Sequence, residues 1–332
     1  MTSSAFFAKH TAAAKEAVEG DLVMKIELNE RERRARGEFA AQLVGDNCHH
    51  ALVLRAEGQL DAGRKVDAGG HDTVVTAADL QSSGHMLREV REQFCRDHIV
   101  DEEGVGTLTM TDLERVVWVG DGIDGSRMFR MGLHFSSSLA ACEGGIPTVG
   151  AIAIDKGDVF TAYAGSDTVY RDTRAYAPPA THKRENTVVN VEGLYWLRLG
   201  PGEMESPEGA ILAELRAQFR NVDSFQSFVR QASLVFSGEM TAAVHAGIDI
   251  FSAAAVWLIA KKLDLVCCRW DGEPLFPHAM KVAATDFKRY LGSPYLFDVL
   301  LAQREHAPAL QSILAPYSGQ VESYGAVKRF KK

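Results

Sequence analysis

Apolar and polar positions follow helical and strand-like spacing in turn over the first part of the chain. Helix signals run from about residue 38 to 56, and the short apolar segment at residues 73–75 is typical of a strand. Apolar residues then recur near a period of about 3.6, at Leu80, Leu87, Val90 and Phe94. This spacing predicts a helix that buries one face against a neighbouring layer.

Two short apolar segments follow, and each one ends in acidic residues. The first, at residues 98–100, leads into the acids at positions 101–103. The second, at residues 116–119, leads into Asp121 and Asp124. We therefore expect two strands that deliver carboxylates at their C-terminal ends.

The next segments predict a mixture of antiparallel strands and further helices. Residues 149–154 and 159–163 flank the turn residues Asp155-Lys156-Gly157-Asp158, which is typical of a β-hairpin. In the second half, Ser206-Pro207 has the N-cap and first residue of a helix, and so does Ser293-Pro294.

The rest of the second half alternates between predicted helices and one predicted strand. Leu296, Val299 and Leu300 continue the helix that starts at Ser293-Pro294. Helices are also predicted at residues 238–247 and 251–263, and a strand at residues 265–268. The combination of a hairpin with alternating helices and strands favours an α+β layered sandwich.

Composition and charge limit the class of protein. The 332 residues are 46% hydrophobic and 24% charged, which is typical of a globular protein. A formal net charge of −8 disfavours a nucleic-acid partner. The longest apolar stretch, residues 253–260, is far shorter than the ~20 residues of a membrane span, and the N-terminal residues lack a signal pattern. We therefore expect a cytoplasmic protein with no membrane partner.

The glycine-rich segment at residues 118–126 allows two interpretations. Its glycines at positions 120, 122 and 125 match the G-x-G-x-x-G fingerprint of dinucleotide-binding proteins, with Glu143 suitably placed for a ribose. That interpretation puts Asp121 and Asp124 beside a pyrophosphate of like charge, at about 4 kcal/mol per pair. A dinucleotide-dependent oxidoreductase is therefore the less favoured class.

The same segment has the donors of a metal site. Asp121 and Asp124 can curl around one point that the Ile123 carbonyl also faces, and hard divalent cations prefer such oxygen ligands. After Gly125, Ser126 opens a helix whose first N–H groups can receive a phosphate. The structural alternative is a polar loop with a capping acid.

Asp79 and Glu102 each have a structural explanation, and a chemical role follows only if they lie beside the proposed metal site. Thr76-x-x-Asp79 is a capping box, which gives Asp79 a purely structural explanation. The functional interpretation makes Asp79 the partner of Ser126 in orienting a metal-bound water for attack on phosphorus. Glu102 and Glu103 alone would be an exposed acidic loop.

Three segments together resemble the inositol monophosphatase family, which is related to fructose-1,6-bisphosphatase. They are Val75-Thr76-Ala77-Ala78-Asp79, Ile99-Val100-Asp101-Glu102-Glu103 and Trp118-Val119-Gly120-Asp121-Gly122-Ile123-Asp124-Gly125-Ser126. The family pattern is an Asp after V-T-x-x, an acidic pair, and W-x-x-D-P-I-D-G-T. With the later hairpin and the Asp271-Gly272-Glu273-Pro274-Leu275 turn, the resemblance extends over roughly residues 38 to 315.

The resemblance implies a fold, a reaction and an assembly. The fold is an α+β, layered αβαβα sandwich, a single unit over residues 1–332 with halves at about residues 1–165 and 166–332. The reaction is Mg²⁺-dependent hydrolysis of a small phosphorylated metabolite, such as an inositol phosphate, a sugar phosphate or a nucleotide 3′-phosphate. Two or three Mg²⁺ ions would bind, Mn²⁺ would be able to replace them, Li⁺ would inhibit, and the protein would form a homodimer.

The resemblance also implies roles for individual residues. The implied metal ligands are Glu102, Asp121, the Ile123 carbonyl, Asp124 and an acid from the second half. The implied catalytic residues are Asp79, Ser126 and Glu102, and the phosphate-binding residues are Gly125 and Ser126. Gly122 replaces the usual proline of the family pattern, Ser126 its threonine, and Ser83 an acid.

The metal ligand from the second half cannot be assigned by matching the family pattern position by position. Counting along the family pattern without gaps puts Ser252 at the position of the family Asp, and Asp249 lies one helical turn earlier. Because the segment before residue 251 is shorter than in the family, we predict that Asp249 is the ligand. Its structural alternative is the N-cap of the following helix. If the site lacks a fifth acid, the alternative function is a weakened family member that binds metal or a phosphorylated ligand as a regulatory protein.

Overall fold

The structure of the chain is a computed structural model. It describes residues 27–60, 63–66, 72–103, 106–155, 157–178, 187–192, 207–224, 227–285, 287 and 297–319. Within these ranges no helix combines the length and the apolar character needed to cross a membrane.

The described strands and helices are numbered in chain order. The strands are β1 Gly63–Val66, β2 Asp72–Val75, β3 His98–Asp101, β4 Val116–Asp124, β5 Ser136–Glu143, β6 Ile146–Ile154, β7 Val159–Tyr163, β8 Val169–Arg171, β9 Arg174–Tyr176, β10 Val188–Glu192, β11 Asn221–Asp223, β12 Ala242–Ile248, β13 Val266–Cys268 and β14 Phe297–Ala302. The helices are α1 Glu30–Ala56, α2 Ala77–Gln93, α3 Ser126–Arg130, α4 Pro207–Gln218, α5 Phe228–Phe236, α6 Ile250–Lys262, α7 His278–Thr285 and α8 Ala307–Leu314.

A seven-stranded sheet is built from residues 98–176, in the order β3-β4-β5-β6-β7-β8-β9, and so extends about ten residues past the expected boundary between the halves. Strands β3 and β4 are parallel, and the remaining neighbours are antiparallel. Alternate side chains of β4 enter different cores, because Trp118 packs with α1 and α2 whereas Val117 and Val119 pack towards α6. This sheet is therefore covered by helices on both faces.

A five-stranded sheet is built from the second half, in the order β11-β10-β12-β14-β13. Strands β10, β11 and β12 are parallel, and β14 runs antiparallel to its neighbours β12 and β13. Leu300 packs in the core with α4 and α8, whereas Val299 and Leu301 pack in the core shared with α5, α6 and α7. The layers are thus α1 and α2, the first sheet, α5 to α7, the second sheet, then α4 and α8, which confirms the αβαβα sandwich.

Two predicted helices of the second half are wrong. Residues 238–247 were expected to be helical, but Ala242–Ile248 form strand β12. Residues 297–300, expected to continue a helix from Ser293-Pro294, belong to strand β14, and positions 293–294 lie outside the described residues. Both strands are buried on two faces, and a continuous apolar run of this kind has no periodicity that separates it from a buried helix.

Candidate active site

The candidate site lies where the two halves of the sandwich meet. The first half contributes the C-terminal ends of the parallel strands β3 and β4 and the first turn of α2. The second half contributes the residues that begin α5 and α6. The acids that the sequence singles out come from both sides of this junction.

The two carboxylate oxygens of Asp79 have different partners: one caps helix α2, and the other binds Ser126. Its Oδ2 accepts hydrogen bonds from the Thr76 amide at 2.6 Å and the Thr76 hydroxyl at 2.5 Å, which completes the capping box. Its Oδ1 accepts a hydrogen bond from the Ser126 hydroxyl at 2.5 Å. Burial raises the pKa of Asp79, and the hydrogen bonds from Ser126 and Thr76 oppose that shift. The two interpretations of Asp79 are therefore compatible.

Asp121 is the electrostatic centre of the site. Burial raises its pKa well above the ordinary value, and the negative charges of Glu102, Asp124, Asp249 and Asp79 raise it further. Its Oδ1 accepts a hydrogen bond from the Ile123 amide at 2.9 Å. The fold thus brings acids that are up to 170 positions apart in the sequence close enough to act on one buried carboxylate.

Asp124 is held by hydrogen-bond donors from both halves of the chain. Its Oδ2 accepts hydrogen bonds from the Ser227 hydroxyl at 2.5 Å and from the Val229 amide, at the start of α5, at 2.9 Å. The Ser136 hydroxyl of β5 also donates to Oδ2, at 3.0 Å. Burial raises the pKa of Asp124, and these donors oppose the shift because they favour the ionised form.

Asp249 is the N-cap of α6, and its negative charge raises the pKa of Asp121. Its Oδ1 accepts hydrogen bonds from the amides of Phe251 and Ser252, both at 2.9 Å. Strand β12 ends at Ile248, so Asp249 is the single residue between strand and helix. The Ser252 hydroxyl lies 3.4 Å from Asp121 Oδ2. Ser252 therefore contacts Asp121, while Asp249 acts on the pKa of Asp121 through its negative charge.

The glycines of the motif fit two local requirements. A Cβ atom on Gly122 would lie 2.7 Å from the Cβ of Ser82, which is closer than side chains pack, so α2 approaches β4 too closely for the proline of the family pattern. Gly125 has φ of +90°, in the left-handed region that favours glycine. Ser126 then begins α3, which has only five residues, so its helix dipole is weaker than the sequence suggests.

These donors suit a hard divalent cation in their chemistry. All of them are oxygen atoms, and a cation would offset the mutual repulsion of the carboxylates around Asp121. Among the residues that the structure describes, no three His, Cys, Asp or Glu side chains are grouped closely enough to hold an ion as they stand. The chemistry of the donor set therefore fits Mg²⁺, while the number of ions and their exact ligands stay predictions.

The dinucleotide interpretation of the glycine motif is wrong. Gly120 and Gly122 lie inside β4, and the chain returns after α3 as the antiparallel strand β5 rather than as a parallel strand. This is not the strand–helix–strand unit that the fingerprint requires. Glu143 is bound by Arg33, whose Nε lies 2.8 Å from Glu143 Oε1, and Leu28 donates its amide to the same carboxylate.

Two serines of the site, Ser136 and Ser227, were missed by the sequence analysis. Their hydroxyls bind Asp124, whereas Ser252, which the family pattern had already singled out, lies beside Asp121. The run of three serines in the wholly buried strand β5 was a signal, because buried hydroxyls need partners. Ser227 had no such signal, since it meets Asp124 only through the tertiary fold. Ser83, at the position of a family acid, donates its hydroxyl to Asp101.

Comparison with known proteins gives one family. The model of the inositol monophosphatase family matches residues 22–308 of the chain. Among curated proteins, the inositol-1-monophosphatase SuhB of Mycobacterium tuberculosis is 30% identical over 197 residues, which are 56% of this chain and 65% of that protein. The inositol-1-monophosphatase of Bacillus subtilis is 24% identical over 203 residues, which are 60% of this chain and 74% of that protein.

Solved structures show the same fold. The Thermotoga maritima IMPase TM1415 is similar with a TM-score of 0.66 and 18% identity, over 85% of this chain and 98% of that one. Inositol monophosphatase-II from Staphylococcus aureus gives a TM-score of 0.65 and 17% identity, over 85% and 94% of the two chains. The matched segment covers just under two-thirds of the length of the Mycobacterium tuberculosis relative.

Proposed function

Since this chain belongs to the inositol monophosphatase family, we propose that it is a Mg²⁺-dependent phosphomonoesterase. Its substrate would be a small phosphorylated metabolite, namely an inositol phosphate, a sugar phosphate or a nucleotide 3′-phosphate. The observation that carries the proposal is the buried Asp121, on which the charges of four other carboxylates act. Such an arrangement is unfavourable in the empty site and becomes favourable when cations bind.

The proposed ligands come from both halves of the chain. Glu102, Asp121 and the Ile123 carbonyl would hold one Mg²⁺, and Asp121, Asp124 and Asp249 another. When bound, Mg²⁺ would neutralise the phosphate and lower the pKa of the attacking water. The hydrogen bonds to Asp124 from Ser227, Ser136 and the start of α5 all end on Oδ2, which orients the carboxylate.

Asp79 and Ser126 would position the water. The Ser126 hydroxyl donates a hydrogen bond to Asp79 Oδ1 at 2.5 Å, so its oxygen lone pairs are left to accept a hydrogen bond from a water molecule. Burial raises the pKa of Asp79, which makes its carboxylate a better proton acceptor than an exposed one. The turn at Gly125 and the first amides of α3 would contact the phosphate oxygens.

The weakened-enzyme alternative is not favoured. It depended on the lack of a fifth acid, and the charge of Asp249 is close enough to Asp121 to raise the pKa of that carboxyl. Inhibition by Li⁺, replacement of Mg²⁺ by Mn²⁺, and a homodimer belong to the same proposal.

Phosphate release from a panel of monoesters tests the proposal. We expect the full chain to release inorganic phosphate from at least one of myo-inositol 1-phosphate, a sugar phosphate and adenosine 3′-phosphate when Mg²⁺ is present. Excess chelator should abolish the reaction, and the Asp124→Asn variant should lack it. No release from any of these esters under saturating Mg²⁺ would contradict the proposal.

A further inference from the structure

Helix α2 is bound to the end of strand β3 one helical turn after Asp79. Asp79 and Ser83 are four positions apart on α2, so their side chains lie on the same side of the helix. The Ser83 hydroxyl donates a hydrogen bond to Oδ2 of Asp101, the last residue of β3. All three side chains are buried. The part of α2 that carries Asp79 is therefore joined directly to β3.

Asp101 lies next to the proposed metal ligand Glu102 and faces α2. Two residues earlier, Ile99 packs in the core with α1 and α2, whereas Val100 packs in the core with α6. The alternation of a strand thus places Asp101 on the α2 side of the sheet. The backbone amide of Glu102 donates a hydrogen bond to the Gly120 carbonyl of β4 at 3.3 Å. A shift of Asp101 would therefore be passed on to Glu102.

The packing of α2 against β4 is close on both sides of Ser83. A Cβ atom on Gly122 would lie 2.7 Å from the Cβ of Ser82, and one on Gly120 would lie 3.1 Å from the sulfur of Met86. Both distances are shorter than ordinary contacts of a Cβ atom. The hydrogen bond from Ser83 to β3 thus forms in a segment where the helix and the strand ends have little room to move relative to each other.

A buried carboxylate at this position is not explained by stability. Asp101 is only 2% exposed, and burial of a charged group is unfavourable even when it is paired. An apolar pair of similar size would hold the helix on the strand without that cost. The family pattern has an acid where this chain has Ser83, and the structure places the carboxylate of Asp101 against that serine.

We propose that Ser83 and Asp101 are positioning residues, and that Asp101 supplies from β3 the carboxylate that the family pattern has on α2. The inference rests on the proposed phosphatase function. By fixing α2 on the end of β3, the pair sets the separation between Asp79, which would orient the attacking water, and Glu102, which would bind Mg²⁺. Loss of a partner that orients a metal ligand typically weakens metal binding by about 10- to 100-fold.

Exchange of the two side chains tests this role. We would measure the dissociation constant of Mg²⁺ by calorimetry, and kcat for phosphate release, for Ser83→Asp, Asp101→Ser and the double variant. Ser83→Asp brings two carboxylates together, and Asp101→Ser leaves two short hydroxyls. Each single variant should therefore bind Mg²⁺ at least about tenfold more weakly and have a lower kcat. The double variant can form the same hydrogen bond in the reverse direction and should bind Mg²⁺ within about threefold of the wild type.

A second serine–aspartate pair provides the matched control. The Ser318 hydroxyl donates a hydrogen bond to Oδ2 of the buried Asp298, on strand β14, at 2.5 Å. Ser318→Ala should lower the melting temperature, measured in chelator, and leave the Mg²⁺ dissociation constant and kcat unchanged. A purely structural role of the Ser83–Asp101 pair would give its variants the same result.

The outcomes separate this inference from the proposed function. A double variant that does not fold, or that binds Mg²⁺ as weakly as the single variants, would overturn the positioning role, and so would single variants that bind Mg²⁺ like the wild type. Ser83→Ala, a smaller change, replaces a single variant that does not fold and should show the same loss of Mg²⁺ affinity. If the wild type binds Mg²⁺ but releases phosphate from no ester, the proposed function fails, and the Mg²⁺ affinities alone decide the role of the pair. A wild type that binds no Mg²⁺ overturns both.

Discussion

The hydroxyl of Ser227 lies 2.5 Å from Oδ2 of Asp124 and joins the two halves of the sandwich. Ser227 has φ of +90°, a conformation that residues with a side chain rarely adopt. A strained backbone of this kind costs of order 1–3 kcal/mol and persists where the surrounding contacts require it. Here those contacts are the bond to Asp124 and the cap that Ser227 provides for the amide of Arg230.

Substitution of Ser227 should separate strain from hydrogen bonding. Ser227→Ala removes the hydroxyl and keeps the strain, so we expect a loss of about 1–3 kcal/mol in the free energy of unfolding. Ser227→Gly removes both and should be less destabilised than the alanine variant by about 1 kcal/mol. Urea unfolding of the two variants measures the difference. Equal stability of the two would show that the positive φ carries no strain.

The two roles of Asp79 should be separable by substitution at its partners. Ser126→Ala leaves the capping box intact, so we expect kcat to fall at least tenfold with little change in melting temperature. Thr76→Ala removes the cap hydroxyl and should cost about 1 kcal/mol of stability. Asp79→Asn should show both defects. If Asp79→Asn loses about 1 kcal/mol of unfolding free energy but keeps full turnover, Asp79 is only a helix cap and has no catalytic role.

The charge on Asp121 should destabilise the metal-free protein. Burial and four neighbouring carboxylates raise its pKa, so Asp121→Asn should be more stable than the wild type when chelator is present. Mg²⁺ at about 100 times its dissociation constant should stabilise the wild type by about 2.7 kcal/mol and the variant by much less. Thermal melts with and without Mg²⁺ measure both effects.

Glu143→Gln is the control for the Asp121 variant. Glu143 is bound to Arg33 and is not one of the four carboxylates whose charges raise the pKa of Asp121 most, so the variant should keep the full Mg²⁺ shift. Because it weakens the ion pair with Arg33, Glu143→Gln should lower the melting temperature by the same amount with and without Mg²⁺. A melting temperature of the wild type that neither Mg²⁺ nor chelator changes would count against a metal site at Asp121.

His245 should make the fold sensitive to acid. It is buried, its Nε2 lies 2.9 Å from the Gln231 side-chain oxygen, and burial lowers its pKa from 6.5 to about 3. Because the unfolded chain binds this proton more tightly, the contribution is complete above pH 6.5 and is lost as the pH falls towards 3. The expected slope is about 1.4 kcal/mol per pH unit.

The His245→Gln variant checks this slope. Its free energy of unfolding, measured in urea between pH 6 and 4, should fall less steeply than that of the wild type, by up to about 1.4 kcal/mol per pH unit. Other titrating groups are the same in both proteins and cancel in the difference. Parallel pH profiles would show that His245 is already charged, or accessible, in the folded state.

Local motifs and the family pattern placed most of the candidate site, and tertiary contacts supplied the rest. Asp79, Asp121 and Asp124 lie in short segments whose turn and cap residues fix their positions, so the sequence alone could propose them. Asp249 was proposed from the family pattern, whereas Ser227 meets Asp124 only because α5 packs against the first sheet. The strands β12 and β14 escaped prediction because both of their faces are buried, which removes the polar alternation typical of strands.

Anomalous diffraction from crystals soaked in Mn²⁺ is the most direct test of the central claim, that acids from both halves of the chain hold divalent cations. We expect density peaks beside Asp121, with oxygens of Asp124 and Asp249 bound to one of them and Glu102 beside another. The Asp249→Asn variant keeps a side chain that can cap α6 and should lose the peak between the two halves. Crystals without any peak at Asp121, or with a peak from which the Asp249 carboxylate is turned away, would contradict the account.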